Sequence, residues 1–162
     1  PESIVFFPEY YEWLDEISPA HIFSRSIHGE GFRMRKSFEN GVLNYRKYDS
    51  CLENALTVES PESLCKIALN RLRWPSRLEG IFREKYENVI KKYMGTAFTL
   101  AVKDQDFPML QFICEHFSPD ASALASAIDQ CIEKEWGEGN AFLIEAKHKS
   151  FSKKTFDFDL DF

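Results

Sequence analysis

The feature that most constrains this chain is a short pattern that returns three times: Ser63-Leu-Cys-Lys-Ile-Ala68-Leu69, Thr96-Ala-Phe-Thr-Leu-Ala101-Val102 and Ser122-Ala-Leu-Ala-Ser-Ala127-Ile128. In each copy a hydroxyl residue stands five positions before an alanine that is followed by an aliphatic residue. A recurring unit of this kind cannot bury its apolar face alone and must pack on its neighbours. The pattern therefore predicts a stack of similar elements, an architecture that usually offers a binding surface and not a catalytic pocket.

The residues after each copy define the unit. Trp74-Pro75 stands six residues beyond Ala68 and Phe107-Pro108 six residues beyond Ala101, so these copies are 33 residues apart. Proline breaks a helix interior but suits a first turn, so each aromatic-proline pair is read as the end of one helix and the start of the next. The second helices carry matching apolar triplets, Leu78, Ile81 and Phe82 against Leu110, Ile113 and Cys114, with Leu52, Ala55 and Leu56 upstream. That spacing places three side chains on one helix face. Ser60-Pro61 and Ser118-Pro119 are turn and helix-start signals, and units begin at about 41, 63, 96 and 122. The distance from Ala101 to Ala127 is 26, and the last unit has a longer first helix, ended by Gly137 and Gly139.

The residues Thr96-x-Phe-x-Leu-Ala-Val and Leu110-x-x-Ile-Cys-Glu-His-Phe-Ser-Pro-Asp resemble a degenerate ankyrin repeat, over roughly residues 41–149. The chain departs from that family in lacking proline after every opener and in carrying Phe117 where the second helix usually ends in glycine. The resemblance implies a helical-hairpin stack that binds a protein partner. A looser likeness, Ser60-Pro-Glu-Ser-Leu-Cys and then Trp74-Pro-Ser-Arg-Leu, looks like a SOCS box, which implies a ubiquitin-ligase adaptor; here Leu64 and Cys65 are adjacent where that family separates them.

Composition limits the remaining classes. With 162 residues, 44% of them hydrophobic, the chain can bury a core of ordinary size. No stretch approaches the roughly 18 to 20 apolar residues of a membrane span, and no signal-peptide layout appears. The first residue is Pro1, which reads as a segment cut from something longer. A net charge of −6 argues against a nucleic-acid coat, since phosphate binding depends on Lys and Arg density. Cys51, Cys65, Cys114 and Cys131 are unevenly spaced and read as free thiols of an intracellular protein, in cytoplasm or nucleus.

Motifs of catalysis are missing from the sequence. His21, His28, His116 and His148 show no metal-ligand spacing, and the seven glycines form no phosphate loop, so no cofactor or metal is expected. The densest positive region is Arg71, Arg73, Trp74 and Arg77; arginine and tryptophan are frequent interface anchors, so this segment is a candidate site for an acidic or phosphorylated peptide. By the repeat alignment, Lys66, Asn70 and Lys103 are exposed first-helix positions and form a second candidate patch. The tail alternates Phe156, Phe158, Leu160 and Phe162 with aspartates, which reads as an extended strand with one apolar face that pairs with the Ile4 to Phe7 run or contacts a partner as an added strand, the alternative being a disordered acidic and aromatic peptide. At the other end, Tyr10, Tyr11, Trp13, Leu14 and Ile17 suggest a short amphipathic helix. Residues 32–48 read two ways: Asn40-Gly41 between Phe32-x-Met34 and Leu43-x-Tyr45 is a hairpin signal, while in the repeat alignment Gly41 merely precedes a helix, the reading favoured here.

The expectation is an all-α stack of ankyrin-like hairpins over 41–149, with an N-terminal extension over 1–40 and an extended tail over 150–162. The expected function is a non-catalytic protein-interaction module. Its alternatives are an architectural helical domain of a larger complex or a ubiquitin-ligase adaptor, with nucleic-acid binding and enzymatic activity ranked below them.

Overall fold

The computed structural model describes residues 3–17 and 22–158. The chain is mostly helical, and among the described residues two small antiparallel sheets lie within the first 43. It divides into two compact units, Pro1–Val89 and Ile90–Phe162.

The first unit opens with a ribbon, not with the amphipathic helix expected there. Strand β1 (Tyr11–Ile17) pairs antiparallel with β2 (Ile22–His28), Tyr11 opposite His28 and Leu14 opposite Arg25. The apolar spacing of this segment suits a helix as well as a strand, and cross-strand pairing decides between them. A short helix α1 (Gly31–Arg35) comes next. Strands β3 (Phe38–Glu39) and β4 (Val42–Leu43) then form a tight hairpin. Its turn is Asn40-Gly41, both left-handed at φ 51° and 79°, the backbone that a two-residue hairpin turn requires. The hairpin signal thus holds, and the helix that the repeat alignment places after Gly41 follows it from Tyr45.

Helices α2 (Tyr45–Ser50), α3 (Leu52–Val58), α4 (Pro61–Arg73) and α5 (Gly80–Lys92) complete the first unit, whose boundary falls near the end of α5. The start of α4 is as the sequence indicates: the Ser60 side chain accepts from the Ser63 N–H, and Pro61 stands in the first turn. Leu64, Cys65, Ile67, Ala68, Leu69 and Leu72 are all buried, so α4 is the most enclosed helix of the unit. The N-terminal arm lies along α1 and α2. Ser3 and Tyr45 share a hydroxyl hydrogen bond of 2.5 Å, the Tyr48 hydroxyl donates to the Phe6 carbonyl, and Arg35 donates to the Pro8 carbonyl at 2.8 Å. Gly31 is required where the arm crosses α1, because a Cβ there would collide with the Pro8 carbonyl oxygen.

The second unit contains α6 (Met94–Lys103), α7 (Phe107–Phe117), α8 (Ala121–Glu133) and α9 (Gly137–Phe158). Helices α6 and α7 form one hairpin and α8 and α9 another; α6 packs against α8 and α7 against α9. The two turns share one hydrogen-bond pattern. Asp104, Gln105 and Asp106 donate their N–H groups to Leu100, Val102 and Ala101, and thirty residues on, Lys134, Glu135 and Trp136 donate to Gln130, Ile132 and Cys131. Gln105 and Glu135 are both left-handed, at φ 48° and 54°. Ala101 therefore corresponds to Cys131, and Ala127 corresponds to Ala97; all four are fully buried. The 26-residue spacing read from the sequence is one helical turn out of register, an error that a helix tolerates because residues four apart share a face.

Of the two aromatic-proline boundaries, one holds and one moves. Phe107-Pro108 does open α7, capped by Asp106, whose carboxylate accepts from the Met109 N–H at 2.9 Å. Trp74-Pro75 does not open a helix: Trp74 closes α4, and α5 begins only at Gly80, after a loop in which Arg77 is left-handed at φ 51°. At the end of α7, Ser118 adopts the left-handed cap at φ 47° that glycine often fills, and Asp120 caps α8. The extended tail is also corrected. Phe156 and Phe158 are in the helical backbone of α9, which continues from a well-formed helix in place of a strand with no pairing edge, while Leu160 and Phe162 lie outside the described residues.

Candidate functional site

The residues of the expected basic patch separate into different environments. Arg71 is fully buried. Its guanidinium spans both oxygens of Asp49, Nε to Oδ1 at 2.8 Å and Nη2 to Oδ2 at 2.9 Å, and also donates to the carbonyls of Trp74 at 3.3 Å and Ser76 at 3.2 Å. The Tyr86 hydroxyl donates to the same Asp49 Oδ1 at 2.7 Å, and the Arg71 guanidinium lies 4.9 Å from the Tyr45 ring centroid. Helices α2, α4 and α5 are thus tied at one carboxylate. Such a two-pronged pair satisfies buried charge that would otherwise be costly.

Electrostatics follow from that geometry. Burial alone would lower the Arg71 pKa, but the hydrogen bonds and charge of Asp49 outweigh it and raise the value. Burial and then the Asp49 charge push Tyr86 well above the usual phenol range, and the same two causes raise Tyr48. Arg71 is therefore an internal tie and not the surface contact that its sequence neighbours suggested.

Arg77 is exposed, while Arg73 and Trp74 are half-buried. The Arg73 guanidinium lies over the Trp74 ring at 4.5 Å, and Arg77 occupies the left-handed loop position. Arg77 lines a shallow groove with Tyr45, Arg46 and Glu79, where Arg46 and Glu79 approach to 3.7 Å. This corner brings an aromatic ring, two arginines and the carboxylates of Glu39 and Glu79 together.

The first-helix positions belong to different units. Lys66 and Asn70 are half-buried on α4; Lys66 pairs with Glu62 at 2.8 Å and its ammonium stands 5.5 Å from the Phe6 ring of the N-terminal arm. Lys103 is exposed in the last turn of α6. For the tail, α9 carries Phe156 and Phe158.

A second groove, in the second unit, was not legible from the repeat pattern. Cys114, Leu124, Phe142 and Ala146 form its apolar lining, with Glu145 and Lys149 at the rim. Phe142 is fixed by an edge-on contact with Phe107, centroids 5.3 Å apart. Burial pushes the Cys114 thiol up to about 12, and Cys65 likewise to about 12. All four cysteines are free. Among the described residues no group of three His, Cys, Asp or Glu side chains could hold a metal ion, and no helix is long and apolar enough to cross a membrane.

Sequence reasoning also missed the exposed residues on both faces of the β1–β2 ribbon. Tyr11, Trp13 and Leu14 are each more than 60% exposed, a condition that an amphipathic-helix reading would not assign them. No family model matches the chain, and neither a curated protein nor a solved structure matches it.

Proposed function

We propose that this chain is a non-catalytic protein-interaction module, an ankyrin-like arrangement of helical hairpins that binds a partner protein or peptide. The observation that carries the reading is the thirty-residue recurrence of one turn geometry in α6–α7 and α8–α9, with like helices packed on like. Repetition of packing leaves recognition to residues that do not repeat. Those are Arg73, Trp74 and Arg77 in the first unit, Lys66 and Asn70 on α4, and Lys103 on α6. Their charge favours an acidic or phosphorylated segment of the partner. The four free cysteines support an intracellular setting.

The test begins with the partner captured by crosslinking from the native source and then purified. Its affinity is measured for the parent chain, for R73A/W74A/R77A and for K66A/N70A/K103A. At least one triple variant is expected to bind about tenfold or more weakly, a loss of about 1.4 kcal/mol. Unchanged affinity in both would refute the assignment.

A further inference from the structure

The β1–β2 ribbon shows aromatic surface, open backbone edges and a charge imbalance in one place. Tyr11 is 63% exposed, Trp13 61% and Leu14 70%, and among the described residues no third strand pairs with either edge. A two-stranded ribbon with bare faces is marginal in water, and its unpaired N–H and C=O groups form a template for a further strand.

The base of the ribbon is held firmly. Gly29 has φ +94°, and a Cβ there would stand 2.8 Å from the Glu9 carbonyl oxygen. The Glu30 N–H donates to Glu59 at 2.7 Å, and Tyr10 packs on Phe32 with centroids 5.3 Å apart. The edge is thus presented by a fixed support, which lowers the ordering cost of binding.

Cross-strand partners share a face, so the register separates the two faces of the ribbon. One face carries Tyr11, Trp13 and Asp15 from β1 beside Ser26 and His28 from β2. The other carries Leu14 and Ile27, with Glu12 already neutralised by Arg25 at 2.6 Å. The first face is aromatic with an exposed carboxylate; the second is apolar with a closed ion pair.

We infer that β1 is a docking edge for an extended segment of a partner protein in which Arg or Lys alternates with β-branched residues, added as a further strand. Cations of that segment lie over Trp13 and Tyr11 and beside Asp15, where ring quadrupoles and the carboxylate both attract them. Its apolar side chains cover Leu14. The carboxylates of β1 disfavour the other usual takers of exposed aromatics, nucleic acid and anionic lipid. A second copy is disfavoured too, because β1 carries Glu12, Asp15 and Glu16 and no cation, and like charges on paired strands repel. This inference deepens the interaction reading, but it uses none of the residues tested there, so ribbon variants and surface variants can fail separately.

The test uses the full chain, labelled for amide NMR, and a short synthetic peptide alternating Arg and Val. Saturable binding is expected, with shifts concentrated in the amides of β1 and β2. The same peptide with Glu in place of Arg, or methylated at alternate backbone nitrogens, should bind at least about tenfold more weakly. Trp13→Ser and Asp15→Lys should each weaken the parent peptide by a similar factor, with the urea midpoint unchanged because both side chains are exposed. Absence of saturable binding, equal binding of the Glu peptide, or indifference to both variants would overturn the inference. So would binding of phosphatidylserine vesicles or a DNA oligomer at the ribbon in place of the peptide, or a self-associated dimer that the peptide does not displace.

Discussion

Replacing Arg71 by Met separates an internal tie from a surface contact. The substitution keeps most of the stem volume but removes the guanidinium, leaving the Asp49 carboxylate buried with Tyr86 as its remaining donor. Two charge-assisted bonds are lost, each with a net value of about 1.5 to 3 kcal/mol, and two carbonyls lose longer contacts at 3.2 and 3.3 Å. Breaking one partner of a buried pair typically costs about 3 to 5 kcal/mol, and that is the expected loss for R71M. Asp49→Asn should be similarly damaging, since it strands the arginine charge while preserving an acceptor for Tyr86. The double variant should be less damaged than the two single losses together predict, by a coupling of about 0.5 to 3 kcal/mol. Urea unfolding followed by far-UV circular dichroism and by tryptophan fluorescence measures all four corners of the cycle. A loss below about 1 kcal/mol for R71M, or strict additivity of the two changes, would refute the reasoning.

Alkaline pH should destabilise the chain. Tyr86 and Tyr48 have folded pKa values raised above the unfolded value of about 10, so their contribution is complete below that pH and is lost as pH rises above it, and Tyr86→Phe should flatten the decline in a series of urea midpoints. Gly31→Ala should cost about 1 to 3 kcal/mol through its collision with the Pro8 carbonyl. Gly95→Ala, in α6 with open space around it, should stabilise by about 0.5 to 1 kcal/mol, and thermal melts of the two variants should move in opposite directions. Cys114 lines a groove, yet its thiol is pushed up to about 12, so iodoacetamide at pH 8 should label it at least about tenfold more slowly than an ordinary exposed thiol, as read by peptide mass spectrometry.

The parts of the fold that the sequence showed well are those decided within a few residues. Ser60 with Pro61 and Phe107 with Pro108 are capping and first-turn chemistry, and both act where expected. The Asn40-Gly41 turn is equally legible as local chemistry, and the helix that the repeat alignment places after Gly41 is α2. The parts decided by distant partners were not legible. Tyr11 to Leu14 would satisfy a helix, but the ribbon is settled by β2 pairing and by Gly29 and Gly31 giving room to the arm at Glu9 and Pro8. Arg71 reads as one cation among several until Asp49, in another helix, closes on it. The register of the second hairpin pair was hidden for a different reason, since Ala97 and Ala101 lie on one face and either aligns with Ala127.

Hydrogen exchange of the full chain, alone and with its purified partner, tests the central claim of an interaction module most directly. Protection is expected to rise in the β1–β2 ribbon, in the 73–79 loop or at the C-terminal end of α6, which carry the proposed aromatic and cationic contacts. A purified partner that binds while leaving all three segments unprotected, with the gain confined elsewhere in the chain, would contradict that claim.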